Sequence, residues 1–141
     1  MQHLIKIICL FILSTSYTIA QEVQSNSITV TVTNLQNNDG NVFLAIYNSE
    51  DKFLNKSYKA FRAKIYDNGC VVEFKNVPNG EYAVSIYHDA NGNKKLDTGM
   101  FGIPKEDYGC SNNAKGFFGP PKWDDAKFTL KNESITKTIQ I

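Results

Sequence analysis

Ser27-Ile28-Thr29-Val30-Thr31-Val32-Thr33-Asn34-Leu35, then Gln36-Asn37-Asn38-Asp39-Gly40, then Asn41-Val42-Phe43-Leu44-Ala45-Ile46-Tyr47, is the stretch that decides the fold class. Successive side chains of a strand point to opposite faces, so period-2 alternation of apolar and polar residues marks a strand with one buried and one wet face. Ile28, Val30, Val32 and Leu35 against Thr29, Thr31 and Thr33 follow that pattern, in β-branched residues that suit a pleated surface. Asp39-Gly40 between two β-patterned runs predicts a hairpin turn.

The same pattern recurs along the chain. Lys59 to Tyr66, Val71 to Val77 and Glu81 to His88 read as strands, separated by Asp67-Asn68-Gly69 and Pro78-Asn79-Gly80. Lys127 to Leu130 and Ile135 to Ile141 read as a closing pair around Lys131-Asn132-Glu133. Ser49 to Ser57 is a loop or a short helical turn, and no segment keeps a helical period. An all-β fold follows: one immunoglobulin-like or transthyretin-like β-sandwich of about seven strands. Thr98 to Asp125 lacks alternation and is longer than a compact domain leaves structureless, so it is expected to be one long ordered loop.

At the N-terminus Lys6 precedes the apolar run Ile7 to Leu13, followed by Thr18-Ile19-Ala20. This is the pattern of a signal peptide over residues 1–20, leaving residues 21–141 as the domain and placing the protein in the periplasm or outside the cell. The run is too short to span a bilayer, and Cys9 lies inside it rather than after it, which argues against a lipid anchor. The 141-residue chain has 15 basic and 14 acidic residues, and losing Lys6 makes the balance zero. With its lysines spread among acidic neighbours, the chain offers no basic stripe for nucleic acid.

Cys70 and Cys110 remain after residue 20 in a chain addressed to an oxidising compartment, so a disulfide between them is expected. It would close about 40 residues and contribute ~3–4 kcal/mol. Two unrelated thiols are the other reading.

His88-Asp89-Ala90-Asn91-Gly92-Asn93-Lys94-Lys95-Leu96-Asp97 places oxygen-bearing side chains at alternate positions. That spacing suits a loop wrapped around a hard cation such as calcium, which takes six to eight oxygen ligands. Asp89, Asn91 and Asn93 would each supply a side-chain oxygen, Lys95 its carbonyl, and Asp97 a carboxylate, directly or through water. The EF-hand loop has Gly at its sixth position and Glu at its twelfth, where this chain has Lys94 and Met100. Two certain carboxylates imply an affinity of ~10⁻⁴–10⁻³ M. Glu106 or Asp107 could fold back to complete the site. The metal-free alternative is an Asx-rich turn of side-chain-to-backbone bonds.

Tyr108, Phe117, Phe118 and Trp123, among the prolines of Pro104 and Pro120-Pro121, could form a surface for a partner protein or glycan. The plainer reading is that Phe118 and Trp123 cover the open end of the sandwich. His88, Glu106 and Ser111 are the residues a small hydrolase would use. His88 and Asp89 point to opposite strand faces, however, and Gly109-Cys110-Ser111-Asn112 is not the G-x-S-x-G nucleophile turn. Zinc is disfavoured because the other histidine, His3, falls in the signal peptide.

His88-Asp89, Asn91, Asn93, Asp97, Gly102-Ile103-Pro104, Glu106, Tyr108-Gly109, Ser111-Asn112-Asn113-Ala114, Phe118-Gly119-Pro120-Pro121 and Ala126-Phe128 resemble the hallmark of an uncharacterised family of small secreted bacterial proteins. That family commonly has Gly where this chain has Lys94 and an aromatic where it has Cys110. The resemblance implies a signal-peptide-bearing β-sandwich and no established activity. The function expected is thus a secreted, non-enzymatic module whose calcium-stabilised loop supports binding of a protein or glycan of the envelope or extracellular space. The alternatives are the hydrolase and a purely structural envelope protein without metal.

Overall fold

The computed structural model describes residues 26–141, so the expected signal peptide lies outside the described residues. Eight strands form two sheets. They are β1 (Asn26–Thr33), β2 (Asn41–Tyr47), β3 (Lys59–Ala63), β4 (Cys70–Val77), β5 (Gly80–Asp89), β6 (Tyr108–Cys110), β7 (Phe128–Leu130) and β8 (Ile135–Gln140). One sheet has the order β4-β1-β8; the other runs β3-β2-β5-β6, with β7 pairing the start of β5. The all-β sandwich read from the sequence is the observed architecture, and the strand not foreseen is β6, inside the stretch expected to be a loop.

The alternation in β1 does what its pattern predicts: Ile28, Val30 and Val32 are buried and the threonines between them are partly exposed. They meet Phe74, Val77 and Ile139 from their own sheet and Val42, Leu44, Ile46, Val84 and Ile86 from the facing one. Apolar area removed from water at about 25 cal/mol per Å² makes this inter-sheet layer the main source of stability.

The expected β1–β2 hairpin does not form. β1 is hydrogen-bonded on both edges, antiparallel to β4 and parallel to β8, so β2 has no edge of β1 to join. Asn34 turns the chain at a φ of 66°, Leu35 is buried, and its N–H donates to the Asn68 carbonyl at 3.0 Å. The Asn37–Gly40 turn then delivers β2 to the second sheet, antiparallel to β5.

The outer face of the second sheet carries a smaller core of Ala45, Tyr47, Ala83, Cys110, Trp123 and Ala126. Trp123 belongs to a one-turn helix, α1 (Trp123–Ala126), and its ring packs edge-on against Phe53 at 5.7 Å. Among the described residues no helix is long and apolar enough to cross a membrane.

Cys70 and Cys110 are free thiols, which corrects the expected disulfide. Cys70 lies opposite Val32 and packs against the inter-sheet core, whereas Cys110 lies in the outer core of the other sheet. A whole sheet stands between them, and facing sheets are ~10 Å apart, beyond the ~7 Å that bridging allows. Burial pushes the Cys110 thiol up to about 12 and that of Cys70 up to about 11.

Candidate functional site

β5 carries both halves of the site. Its odd-numbered residues face outward: Ser85 and Tyr87 rise from the sheet, and Asp89, the last residue of the strand, opens the Asx-rich loop. Phe43 on β2 stands opposite Tyr87, with their rings stacked at 5.0 Å. Gly40, at a φ of 66°, backs directly onto the Asp89 carbonyl, leaving no room for a Cβ there.

The Asp89 side chain is fully buried. Its Oδ2 accepts the N–H of Lys94 at 3.0 Å and a guanidinium N–H of Arg62 at 3.0 Å, while its Oδ1 is buried with no hydrogen-bond partner. Lys94 has a φ of 69°, so it makes the left-handed turn for which glycine is the usual residue, and the main chain closes around Asp89 despite the side chain.

The rest of the loop is held by its own amides. Asn91 Oδ1 accepts the N–H of Asn93 and Asn93 Oδ1 that of Lys95, each at 2.9 Å. Their Nδ2 groups donate to the two oxygens of Asp97, at 2.6 and 2.8 Å. Of the two acids that could fold back, Glu106 does so: its carboxylate accepts the N–H of Ala90 at 3.2 Å and of Asp97 at 2.9 Å, tying the two ends of the loop together. Asp107 instead accepts from Gln36. Among the described residues no three His, Cys, Asp or Glu side chains gather as a metal centre. Any cation here would therefore rely on Asn and main-chain oxygens beside Asp89 and Asp97.

Beside the loop lies a cleft of about 980 Å³ on the outer face of the second sheet. Tyr47, Ser85 and Tyr87 contribute to its floor, and the segments around Phe101 and Phe118 to its walls. Loop and cleft share a wall: Leu96 and Thr98 line the cleft, and the Tyr87 hydroxyl donates to the Lys94 carbonyl at 3.3 Å. Of the four aromatics expected at a partner surface, Tyr108, Phe117 and Phe118 line this cleft. Trp123 does not; it is 7% exposed, packed in the core on the outer face of the second sheet rather than over the open end of the sandwich. Phe118 is 96% exposed, its ring edge-on to Phe117 at 4.6 Å at the cleft, so it does not cover the open end of the sandwich.

The chain belongs to the family of uncharacterised proteins conserved in bacteria, DUF2141. The family's model matches residues 30–138, from within β1 to within β8. No curated protein matches the chain. Loop and cleft both lie within the DUF2141 span.

The hydrolase residues are not brought together. Ser111 is fully buried: its hydroxyl donates to the Ala126 carbonyl at 2.5 Å and accepts the N–H of Val84 at 2.9 Å. His88 donates from Nε2 to the Asp39 carbonyl at 2.7 Å, fixing the proton on that nitrogen, and Glu106 is engaged with the loop. Arg62 and the floor residues Phe43, Tyr47, Ser85 and Tyr87 are what sequence reasoning missed. The only signal for the floor was the strand alternation, which shows two faces without showing that the outer one is roofed.

Proposed function

We propose that this protein is a secreted or periplasmic, non-enzymatic binding module in which calcium, held by the Asp89–Asp97 loop, braces one wall of the neighbouring cleft. The observation that carries the reading is the buried, unpartnered Oδ1 of Asp89. A buried carboxylate oxygen without a partner costs about 1–3 kcal/mol, which a bound cation would recover. Asn91 and Asn93 support it, because each Oδ1 has a second lone pair after accepting its main-chain N–H. Asp97 and the Lys95 carbonyl complete the donor set. The Lys6–Ala20 pattern supports export, and the commitment of Ser111 and His88 to structural bonds supports a non-enzymatic role. The partner is a protein, glycan or small molecule of the envelope or extracellular space.

Thermal unfolding in EDTA and then across a calcium titration tests this. A ligand confined to the native state stabilises it by RT ln(1 + [L]/Kd), about 2.7 kcal/mol at 100 times Kd. The expected result is a saturable rise that Asp97→Asn weakens. Identical curves in EDTA and in millimolar calcium would leave a metal-free Asx turn and refute the calcium role.

A further inference from the structure

We infer that the cleft holds an uncharged, predominantly apolar small molecule. This rests on the reading of the protein as a binding module and names what the cleft takes. Its volume, about 980 Å³, is at the upper end of the range of small-molecule sites. Among the described residues that line it, none is Asp, Glu, Lys, Arg or His. An ionic ligand would leave water and meet no opposite charge among the lining residues, and Arg62, 5.7 Å above the Phe43 ring, is already paired with Asp89, so the loss is one that buried ions do not recover.

A sugar fits little better, because each hydroxyl it buries needs a partner. The floor hydroxyls are already engaged: Tyr47 Oη and Ser85 Oγ bond each other at 3.1 Å, and Tyr87 donates to Lys94. Burial raises the pKa of both tyrosines, so they stay neutral across the physiological range. The Tyr47–Ser85 pair can meet one hydrogen-bonding group at the floor, and beyond it only Asn55, Ser57, Thr98 and Tyr108 among the lining side chains offer others, so most of the contact is apolar.

The walls agree. Phe101, Phe117 and Phe118 are 93%, 91% and 96% exposed, an arrangement that leaves three large rings in water at one site. Phe101 is held there by a left-handed backbone at a φ of 62°, a conformation uncommon for an aromatic residue and concentrated at functional positions. An apolar ligand entering between the walls removes these rings from water, whereas a charged one would give up its own hydration to do so.

The test uses N-phenyl-1-naphthylamine, which is neutral, and 1-anilinonaphthalene-8-sulfonate, which carries a similar ring body with an anionic group. The expected result is saturable one-to-one fluorescence enhancement by the neutral probe, with the sulfonate binding at least about tenfold more weakly. Phe101→Ser with Phe118→Ser, both at surface positions, should weaken the neutral probe about tenfold without moving the melting temperature. Equal binding of the two probes, displacement by a neutral oligosaccharide, an unaffected double variant, or burial of the cleft in a concentration-dependent dimer would overturn the inference. Running both probes in EDTA and in calcium separates the two proposals. Neutral-probe binding that ignores calcium keeps the ligand class and refutes the bracing role. Calcium-dependent melting with no probe binding does the reverse.

Discussion

The Arg62 guanidinium lies 3.0 Å from the carboxylate of Asp89, a side chain fully shielded from water, while Arg62 itself is 33% exposed. It is the nearest counter-charge to Asp89 and a competitor for any cation that Asp89 would bind. Arg62→Gln is expected to destabilise the protein in EDTA by about 2 kcal/mol, below the ~3–5 kcal/mol of a fully buried broken pair because Arg62 is partly hydrated. In calcium the same variant should regain more stability than the parent, since the repulsion between guanidinium and cation is gone. Chemical denaturation in EDTA and in calcium measures both effects; a calcium increment smaller than the parent's would show that Arg62 does not oppose the ion.

Lys94 turns the loop at a φ of 69°. A left-handed backbone costs a residue with a Cβ about 1–2 kcal/mol that glycine avoids, partly offset by glycine's greater freedom in the unfolded chain. Lys94→Gly should therefore stabilise the protein by about 0.5–1 kcal/mol and also tighten calcium by removing a nearby positive charge. Melting temperature and calcium titration of this one variant test both; destabilisation would mean that the Lys94 side chain contributes contacts outweighing its backbone strain.

The fold was legible wherever one local pattern sufficed. Ile28, Val30 and Val32 alternate with threonines, and the structure buries the first set. The same logic failed at Asp39-Gly40, because whether two strands pair depends on which edges other strands have taken, and β8, a hundred residues away, already holds one edge of β1. Strand β6 was hidden because three residues, one of them Gly109, carry too short a pattern to detect. The loop at Asp89 was legible as a constellation, since its spacing is local. Arg62 was not, because it reaches Asp89 only through the registers of β3 on β2 and β2 on β5. The Cys70–Cys110 pairing failed for a similar reason: counting thiols does not say on which side of a sheet each one lies.

Ser111 separates the binding reading from the hydrolase reading. Its hydroxyl satisfies the Val84 N–H and the Ala126 carbonyl in a dry site. Ser111→Ala leaves both groups without that partner and is expected to cost about 2–3 kcal/mol in a urea titration. A catalytic nucleophile predicts the opposite signature, loss of turnover on an ester or glycoside panel at unchanged stability. Parent stability in the variant would remove the structural role assigned to Ser111.

The two thiols predict how stability responds to alkali. Burial raises Cys110 from 9.0 to about 12, so in the folded protein it keeps a proton that the unfolded chain releases near pH 9. The unfolded state then binds fewer protons than the native one, and stability must fall as pH rises from about 9 toward about 12. The fall is more than about 1 kcal/mol per pH unit for each proton fully retained. Cys70, raised from 9.0 to about 11, adds a shallower fall ending earlier. Cys110→Ala should begin less stable at neutral pH, because it loses a buried side chain, yet decline less steeply through that window. Urea midpoints between pH about 8 and about 11 in reducing buffer give the two slopes directly. Equal slopes would mean that Cys110 ionises as readily in the fold as out of it, and would place water in the outer core beneath the cleft.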